Sequence, residues 1–255
     1  MVIHRKPFDH GQASRGILYQ RGLMKNSNRT KNIETVIITP RPDPVTFSAI
    51  LGYLEQIKNL KKIVYLSTFG VYEESSKKIN ETAEIFPVSV YQKNKYYEEI
   101  VLGQFVKRIG IKLCIARLSS VYGDVQNKEV VNVMVRQLLY KSDMVINGDG
   151  NQTRDYIFIE DAAELISFLA LRDQKSRYEV FNICSGKGYS INEISSILEK
   201  ISGKKLIFRH APPSCDERIN SVGDNTKIIK ASGYKIRYPI VDGLRKTLEN
   251  YYKNI

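Results

Sequence analysis

The sequence predicts an α/β protein: a parallel sheet covered on both faces, followed by a small α+β lobe. Three observations carry this. Short continuous apolar runs, ETVIITP (34–40), KKIVYLST (61–68) and IKLCIARLSSVYG (111–123), read as buried strands. Stretches with helical apolar spacing separate them. The chain of 255 residues allows one large domain, or one domain plus a small lobe, and buries a core without disulfide or metal staples.

The elements follow in order. Residues 45–60 place Phe47, Ile50, Leu51, Leu54, Ile57 and Leu60 at helical spacing. Residues 91–108 form a second helix, with Ile100, Val101, Phe105 and Val106 on its apolar side. The pattern then changes. Residues 129–141 read as a helix, and MVINGDGNQTRDYIFIE (144–160) as two short strands around an Asp149-Gly150 turn. A helix follows at 161–171, then the strand YEVFNICSG. Ser190 and Glu193 make a capping box that opens a helix at 191–202, and the last helix is 239–253. The division this predicts is 1–125 for the sheet domain and 126–255 for the lobe, with residues near 160–185 returning to the sheet.

Composition removes several classes. Hydrophobic residues at 42% and charged residues at 26% exclude a disordered chain and a collagen-like chain. No apolar run reaches the ~18 residues of a membrane span, and the first residues have no apolar core of signal-peptide length. The expected compartment is the cytoplasm, with no membrane partner. Cys114, Cys184 and Cys215 have no CxxC spacing and fit a reducing compartment. The three His give no ligand pattern, so no metal is expected. The net charge of +12 comes from Lys spread along the whole chain. It reads as a solvated exterior, or as a basic cleft for an anionic small substrate, rather than as a nucleic-acid surface.

Tyr91 and Lys95 stand four apart at a helix start, which puts both on one face. A free phenol is a poor base at neutral pH, with a pKa of ~10, and a neighbouring ammonium favours its ionised form. One unit charge at ~4 Å in an effective dielectric of ~20 supplies about 4 kcal/mol, equivalent to about three pKa units. Upstream, Thr68 ends the strand 61–68, where ligand contacts gather in open α/β sheets. Its hydroxyl can orient a substrate oxygen beside a phenol. Arg154 follows a polar loop and suits a bidentate phosphate contact, or an exposed ion pair with Asp155. SGKGYS (185–190) lacks the spacing of a phosphate loop and reads as a turn before a capped helix.

LSTFGVY, Glu81, PVSVYQKNKYYEE, ARLSSVYGD (116–124), INGDGNQTRDYIFIEDAAE (146–164), VFNICSGKGYSINEI (180–194) and the run from Ser221 to Tyr252 form an ordered series. The series resembles the extended short-chain dehydrogenase/reductase family, in particular nucleotide-sugar epimerases and dehydratases, over residues 34–253. The resemblance implies a Rossmann-like sheet binding NAD or NADP and a C-terminal lobe binding a nucleotide-sugar. It implies catalysis by Thr68, Tyr91 and Lys95, with Tyr91 as acid/base and Lys95 as the ribose-binding lysine. Cofactor contacts would come from Thr39, Pro40, Ser67, Tyr91, Lys95 and Leu118, with Ser119 near the nicotinamide. Substrate contacts would come from Thr68, Phe69, Ser120 and Arg154. It further implies a homodimer formed through the helices 45–60 and 91–108.

The departures from the family pattern are specific. No GxGxxG or GxxGxxG occurs. VIHRKP (2–7) resembles the end of the family's second strand and RGILYQRGL (15–23) its third, so the sheet reads as N-terminally truncated by one strand–helix unit. In that register His4, Arg5 and Lys6 stand where cofactor choice is made, and Arg5 suits the 2′-phosphate of NADP. Ser120 replaces a common Asn, ITPRP replaces a strand ending in two Ala, and PPSCD has no Arg before Asp216. Phe69 and Gly70 replace the acidic pair that dehydratases carry after the catalytic Thr. The expected function is therefore epimerisation or simple reduction of a nucleotide-sugar through a keto intermediate. The alternative is a catalytically inactive, truncated member acting as a binding or partner subunit.

Overall fold

Continuous apolar strands need cover on both faces, and the chain provides it by alternating strand and helix. The computed structural model describes residues 2–3, 33–39, 44–123, 129–141, 144–213 and 220–253. The elements of the first half are β1 (Val2–Ile3), β2 (Thr35–Ile38), α1 (Pro44–Glu55), β3 (Lys62–Thr68), α2 (Val90–Ile109), β4 (Lys112–Leu118) and β5 (Ser120–Tyr122). Those of the second half are α3 (Val130–Tyr140), β6 (Val145–Asn147), β7 (Thr153–Phe158), α4 (Ile159–Leu171), β8 (Tyr178–Ile183), β9 (Gly188–Ser190), α5 (Ile191–Ser202), β10 (Arg209–Ala211), β11 (Asn220–Ser221), α6 (Thr226–Ser232) and α7 (Ile240–Lys253). Among the described residues no helix is long and apolar enough to cross a membrane.

The main sheet has the order β1-β2-β3-β4-β8. β2 and β3 pair in parallel, Thr35 opposite Lys62 and Ile38 opposite Tyr65. This is the predicted α/β, Rossmann-like arrangement. One expectation changes. Val2 and Ile3 pair with Val36 and Thr35 in the antiparallel sense, so they do not continue the parallel run as the end of a second strand would. The segment 15–23 lies outside the described residues.

The chain divides into two compact units, each assembled from three stretches of sequence. The first comprises Met1–Ser67, Asn94–Ala116 and Ile166–Phe181. Its core joins three strands to two helices. Val36 and Ile38 of β2, Ile63 and Tyr65 of β3, and Leu113 and Ile115 of β4 pack with Phe47 and Leu54 of α1 and with Leu102, Phe105 and Val106 of α2. Ile57 and Leu60 belong to this core too, although α1 ends at Glu55 rather than at the predicted residue 60. In α2 the apolar side also differs. Ile100 is exposed, whereas Lys95, Glu98 and Glu99 are buried.

The second unit comprises Thr68–Lys93, Arg117–Leu165 and Asn182–Ile255. The run 111–123 breaks into two strands at Ser119, because β5 leaves the main sheet to pair with β7, Ser120 opposite Tyr156. The two strands expected around Asp149-Gly150 form as β6 and β7, each paired with other strands. β6 pairs in parallel with β10, while β7 pairs in parallel with β5 and β11 and antiparallel with β9. The capping box forms as predicted: Glu193 N–H donates to Ser190 Oγ at 3.1 Å and Ser190 N–H to the Glu193 carboxylate at 2.7 Å. α7 buries Ile240, Gly243, Leu244, Thr247, Leu248 and Tyr251, a stripe with the helical period.

Asp155 ties the loops of this unit together. It is 1% exposed. Its carboxylate accepts from Ser185 N–H at 2.8 Å, Ser185 Oγ at 2.9 Å, Gly186 N–H at 2.9 Å, Gly223 N–H at 3.3 Å and Ser119 Oγ at 3.3 Å. Burial raises its pKa above the ordinary value, and the Ser185, Gly223 and Gly186 hydrogen bonds oppose that rise. A carboxylate this buried is not half of the exposed ion pair that the sequence left open for Arg154.

Packing and burial set the response to substitution here. A Cβ at Gly243 would overlap the Tyr122 hydroxyl, while one at Gly52 meets nothing within 4 Å. Gly243→Ala should lower unfolding free energy by about 1–3 kcal/mol, and Gly52→Ala, on the exposed side of α1, should raise it by about 0.5–1 kcal/mol in urea melts. For Asp155 the raised folded pKa fixes the sign. Its contribution is complete below the unfolded value of ~3.9 and is lost as pH rises through the folded value. Urea melts across that window should show the native chain losing stability with rising pH relative to Asp155→Asn.

Candidate active site

β3 ends where its last hydroxyl caps a turn. Thr68 is extended, and its Oγ1 accepts from Gly70 N–H at 3.1 Å, opening a 3-10 turn over Phe69–Val71. The cap uses the acceptor side of the hydroxyl and leaves its hydrogen as the group that can donate to a ligand oxygen. Phe69 does not project from the turn. Its ring is 4% exposed, 5.3 Å from the Tyr72 ring, and a Cβ on Gly223 would lie 2.6 Å from it. Phe69, the residue expected at the substrate, packs within the turn.

Tyr91 and Lys95 both lie on α2, four residues apart, as the sequence predicts. Tyr91 is exposed. Lys95 is 4% exposed, an unusual state for an ammonium. Its Nζ lies 3.5 Å from Glu98 Oε2 and 4.2 Å from the centre of the Tyr65 ring. The Tyr65 hydroxyl donates to the same Glu98 oxygen. Ser67 Oγ donates to Glu99. Sequence reasoning missed Glu98 and Glu99 by counting only apolar residues on α2. The signal was present, because 95, 98, 99, 102, 105 and 106 share one helical face.

Thr39 follows β2 and is exposed. Leu118 ends β4, and Ser119 N–H donates to the Ile183 carbonyl at 3.0 Å while its hydroxyl reaches Asp155. Ser120 begins β5. Arg154 lies in β7, its Nη1 donating to the Thr153 carbonyl at 3.0 Å. Arg117 is buried, with its guanidinium 4.5 Å from the centre of the Tyr72 ring. His4, Arg5, Lys6 and Pro40 lie outside the described residues, as do Cys215 and Asp216.

The chemistry of this donor set is compatible with the ribose of a nicotinamide cofactor. A buried ammonium has three N–H donors, and a neighbouring carboxylate fixes its position, which suits a vicinal diol. The chain carries no glycine-rich turn of the GxGxxG type for the pyrophosphate.

Comparison with known proteins places the chain in a family. The NAD dependent epimerase/dehydratase family matches residues 47–184. A putative UDP-glucose 4-epimerase of Methanocaldococcus jannaschii is 29% identical over 212 residues, 80% of this chain and 68% of that protein. A UDP-glucuronate 4-epimerase of Thermodesulfobacterium geofontis is 29% identical over 217 residues, 80% of this chain and 64% of that protein. The chain thus spans about two thirds of the length of these relatives. The crystal structure of UDP-glucuronic acid 4-epimerase from Bacillus cereus, in complex with UDP-glucuronic acid and NAD, superposes with a TM-score of 0.76 at 29% identity, covering 83% of this chain and 67% of that one. Because the family match spans more than half of its residues, the chain belongs to the NAD dependent epimerase/dehydratase family.

Proposed function

We propose that the chain is an NAD- or NADP-dependent nucleotide-sugar epimerase acting on a UDP-hexose. The observation that carries this reading is the buried, carboxylate-held Lys95 one helical turn from Tyr91 on α2. The names of the relatives support the substrate class.

The chemistry divides among the chain's own residues. Tyr91 takes the proton from a sugar hydroxyl as the carbon is oxidised to a ketone. It returns that proton after the sugar has turned over and been reduced on its other face. The nicotinamide, when bound, supplies the hydride acceptor and donor. Thr68 donates to the sugar oxygen and holds it in line. Lys95 binds the cofactor ribose, and its charge offsets the negative charge that develops on the phenol oxygen. Arg154 binds the substrate diphosphate through charge-assisted hydrogen bonds, with Ser120 as a weaker partner. Thr39, Ser67 and Leu118 line the cofactor.

The assembly in this reading is a homodimer through α1 and α2. Val45 at 80%, Tyr97 at 62% and Ile100 at 49% leave apolar side chains exposed on those helices. The compartment is the cytoplasm, which keeps thiols reduced.

Tyr91→Phe should lower kcat about 10²–10⁴-fold, with a far smaller change in cofactor affinity by calorimetry. Lys95→Met should weaken cofactor binding as well. These assays use the purified chain, NAD and NADP, and a panel of UDP-, dTDP- and GDP-sugars. Undiminished turnover by Tyr91→Phe overturns the mechanism. Arg154→Ala should act differently, raising KM by about tenfold or more, as the loss of a charged hydrogen bond worth about 1.5–3 kcal/mol requires, with a smaller change in kcat.

A further inference from the structure

A cavity lies wholly within the second unit, formed by the C-terminal end of α3 and the segment between α5 and β10. Its volume is about 700 Å³, within the range of small-molecule sites. Leu138, Met144 and Phe208 give it an apolar wall. Ile207, at its edge, is 74% exposed, a large apolar side chain in water.

The polar part of the lining has one sign. Lys141, Lys204, Lys205 and Arg209 contribute four cations, and no acidic residue lines the cavity among the described residues. Glu199 neutralises one of them, at 2.9 Å from Lys205 Nζ. Lys204 Nζ lies 3.5 Å from the Leu138 carbonyl, a neutral partner that leaves its charge in place. Lys141 adds a further observation. It caps α3 with φ 53°, the left-handed region that favours glycine, and is the only non-glycine residue in that region among the described residues. The chain accepts a strained backbone there and keeps a lysine at the cavity.

We propose that this cavity binds an anionic amphiphile: an alkyl or aryl body against Leu138, Met144 and Phe208, and an anionic head among Lys141, Lys204 and Arg209. Apolar burial supplies affinity, and the excess of cations in the lining selects charge. The site uses none of the residues assigned above to the epimerase chemistry, so its test needs no turnover.

The probe is octyl phosphate below its critical micelle concentration, titrated calorimetrically into the full chain. Saturable binding to one site is expected. Inorganic phosphate, which lacks the body, and octyl glucoside, which lacks the charge, should each bind about tenfold more weakly or worse. The double variant Lys204→Glu/Arg209→Glu changes only exposed side chains and should keep its melting temperature while losing about tenfold or more in octyl phosphate affinity. Co-sedimentation with phosphatidylserine vesicles separates a lipid source from a free one. Vesicle binding together with monomer binding identifies a lipid head and chain as the ligand chemistry, and monomer binding alone identifies a soluble amphiphile. The proposal is overturned if inorganic phosphate or octyl glucoside matches octyl phosphate, if the double variant binds as tightly as the native chain, or if only vesicles bind.

Discussion

A buried ammonium has to be matched, and α2 is organised around that requirement. Lys95 leaves water almost completely, which costs several kcal/mol even after relaxation. Glu98 provides the opposite charge, the Tyr65 ring provides a π face, and the Tyr65 hydroxyl occupies the carboxylate that Lys95 only partly satisfies. Breaking such a set by removing one member costs about 3–5 kcal/mol, whereas replacing it whole with apolar residues is often neutral or stabilising. Stability alone therefore does not explain why the helix keeps it. A fixed ammonium near the start of a helix is useful to a ligand, and that use is what the proposed chemistry assigns to it.

The second unit applies the same logic to a carboxylate. Strand ends and tight turns leave backbone N–H groups without ladder partners, and a buried one must find an acceptor. Asp155 accepts from Gly186 and Gly223 N–H groups and from the Ser185 turn. Asn182 plays a related part. It takes the Tyr72 hydroxyl at 2.7 Å, donates to the Ile79 carbonyl at 2.9 Å, and gives its own backbone N–H to Glu81 at 2.9 Å. Irregular segments are thus held by side chains in place of a sheet. This is the condition for functional loops that stay put.

Much of this was legible in the sequence, for physical reasons that differ by element. Continuous apolar runs identified β2, β3 and β4, because a strand buried on both faces has few polar positions. The Ser190–Glu193 box fixed the start of α5 because two reciprocal hydrogen bonds need those residue types at that spacing. Other features were not legible. Strand pairing is a long-range property, so the pattern around Asp149-Gly150 gave two strands but not their partners. The two-residue strand β11 and the seven-residue α6 are too short for periodicity to register. The inward Glu98 and outward Ile100 reversed the expected polarity of α2, because a charged cluster that satisfies itself can take a core position.

The turn after Thr68 limits what chemistry the site can perform. An elimination needs an acid and a base besides the group that exchanges a proton during oxidation. The family resemblance puts such groups at positions 69 and 70, where this chain has Phe69 and Gly70. Phe69 is buried beside Tyr72, so a carboxylate there would lose its hydration without a partner. A Cβ at Gly70 would come within 2.8 Å of Gln92 Cγ, and the Gln92 amide is held by Val88 N–H at 2.7 Å and Ser89 N–H at 3.0 Å. A charge at 69 would be buried, and a side chain at 70 would press on Gln92 and its two hydrogen bonds. In the proposed mechanism Tyr91 takes one proton and gives the same one back, which suits a reaction whose product has the composition of its substrate.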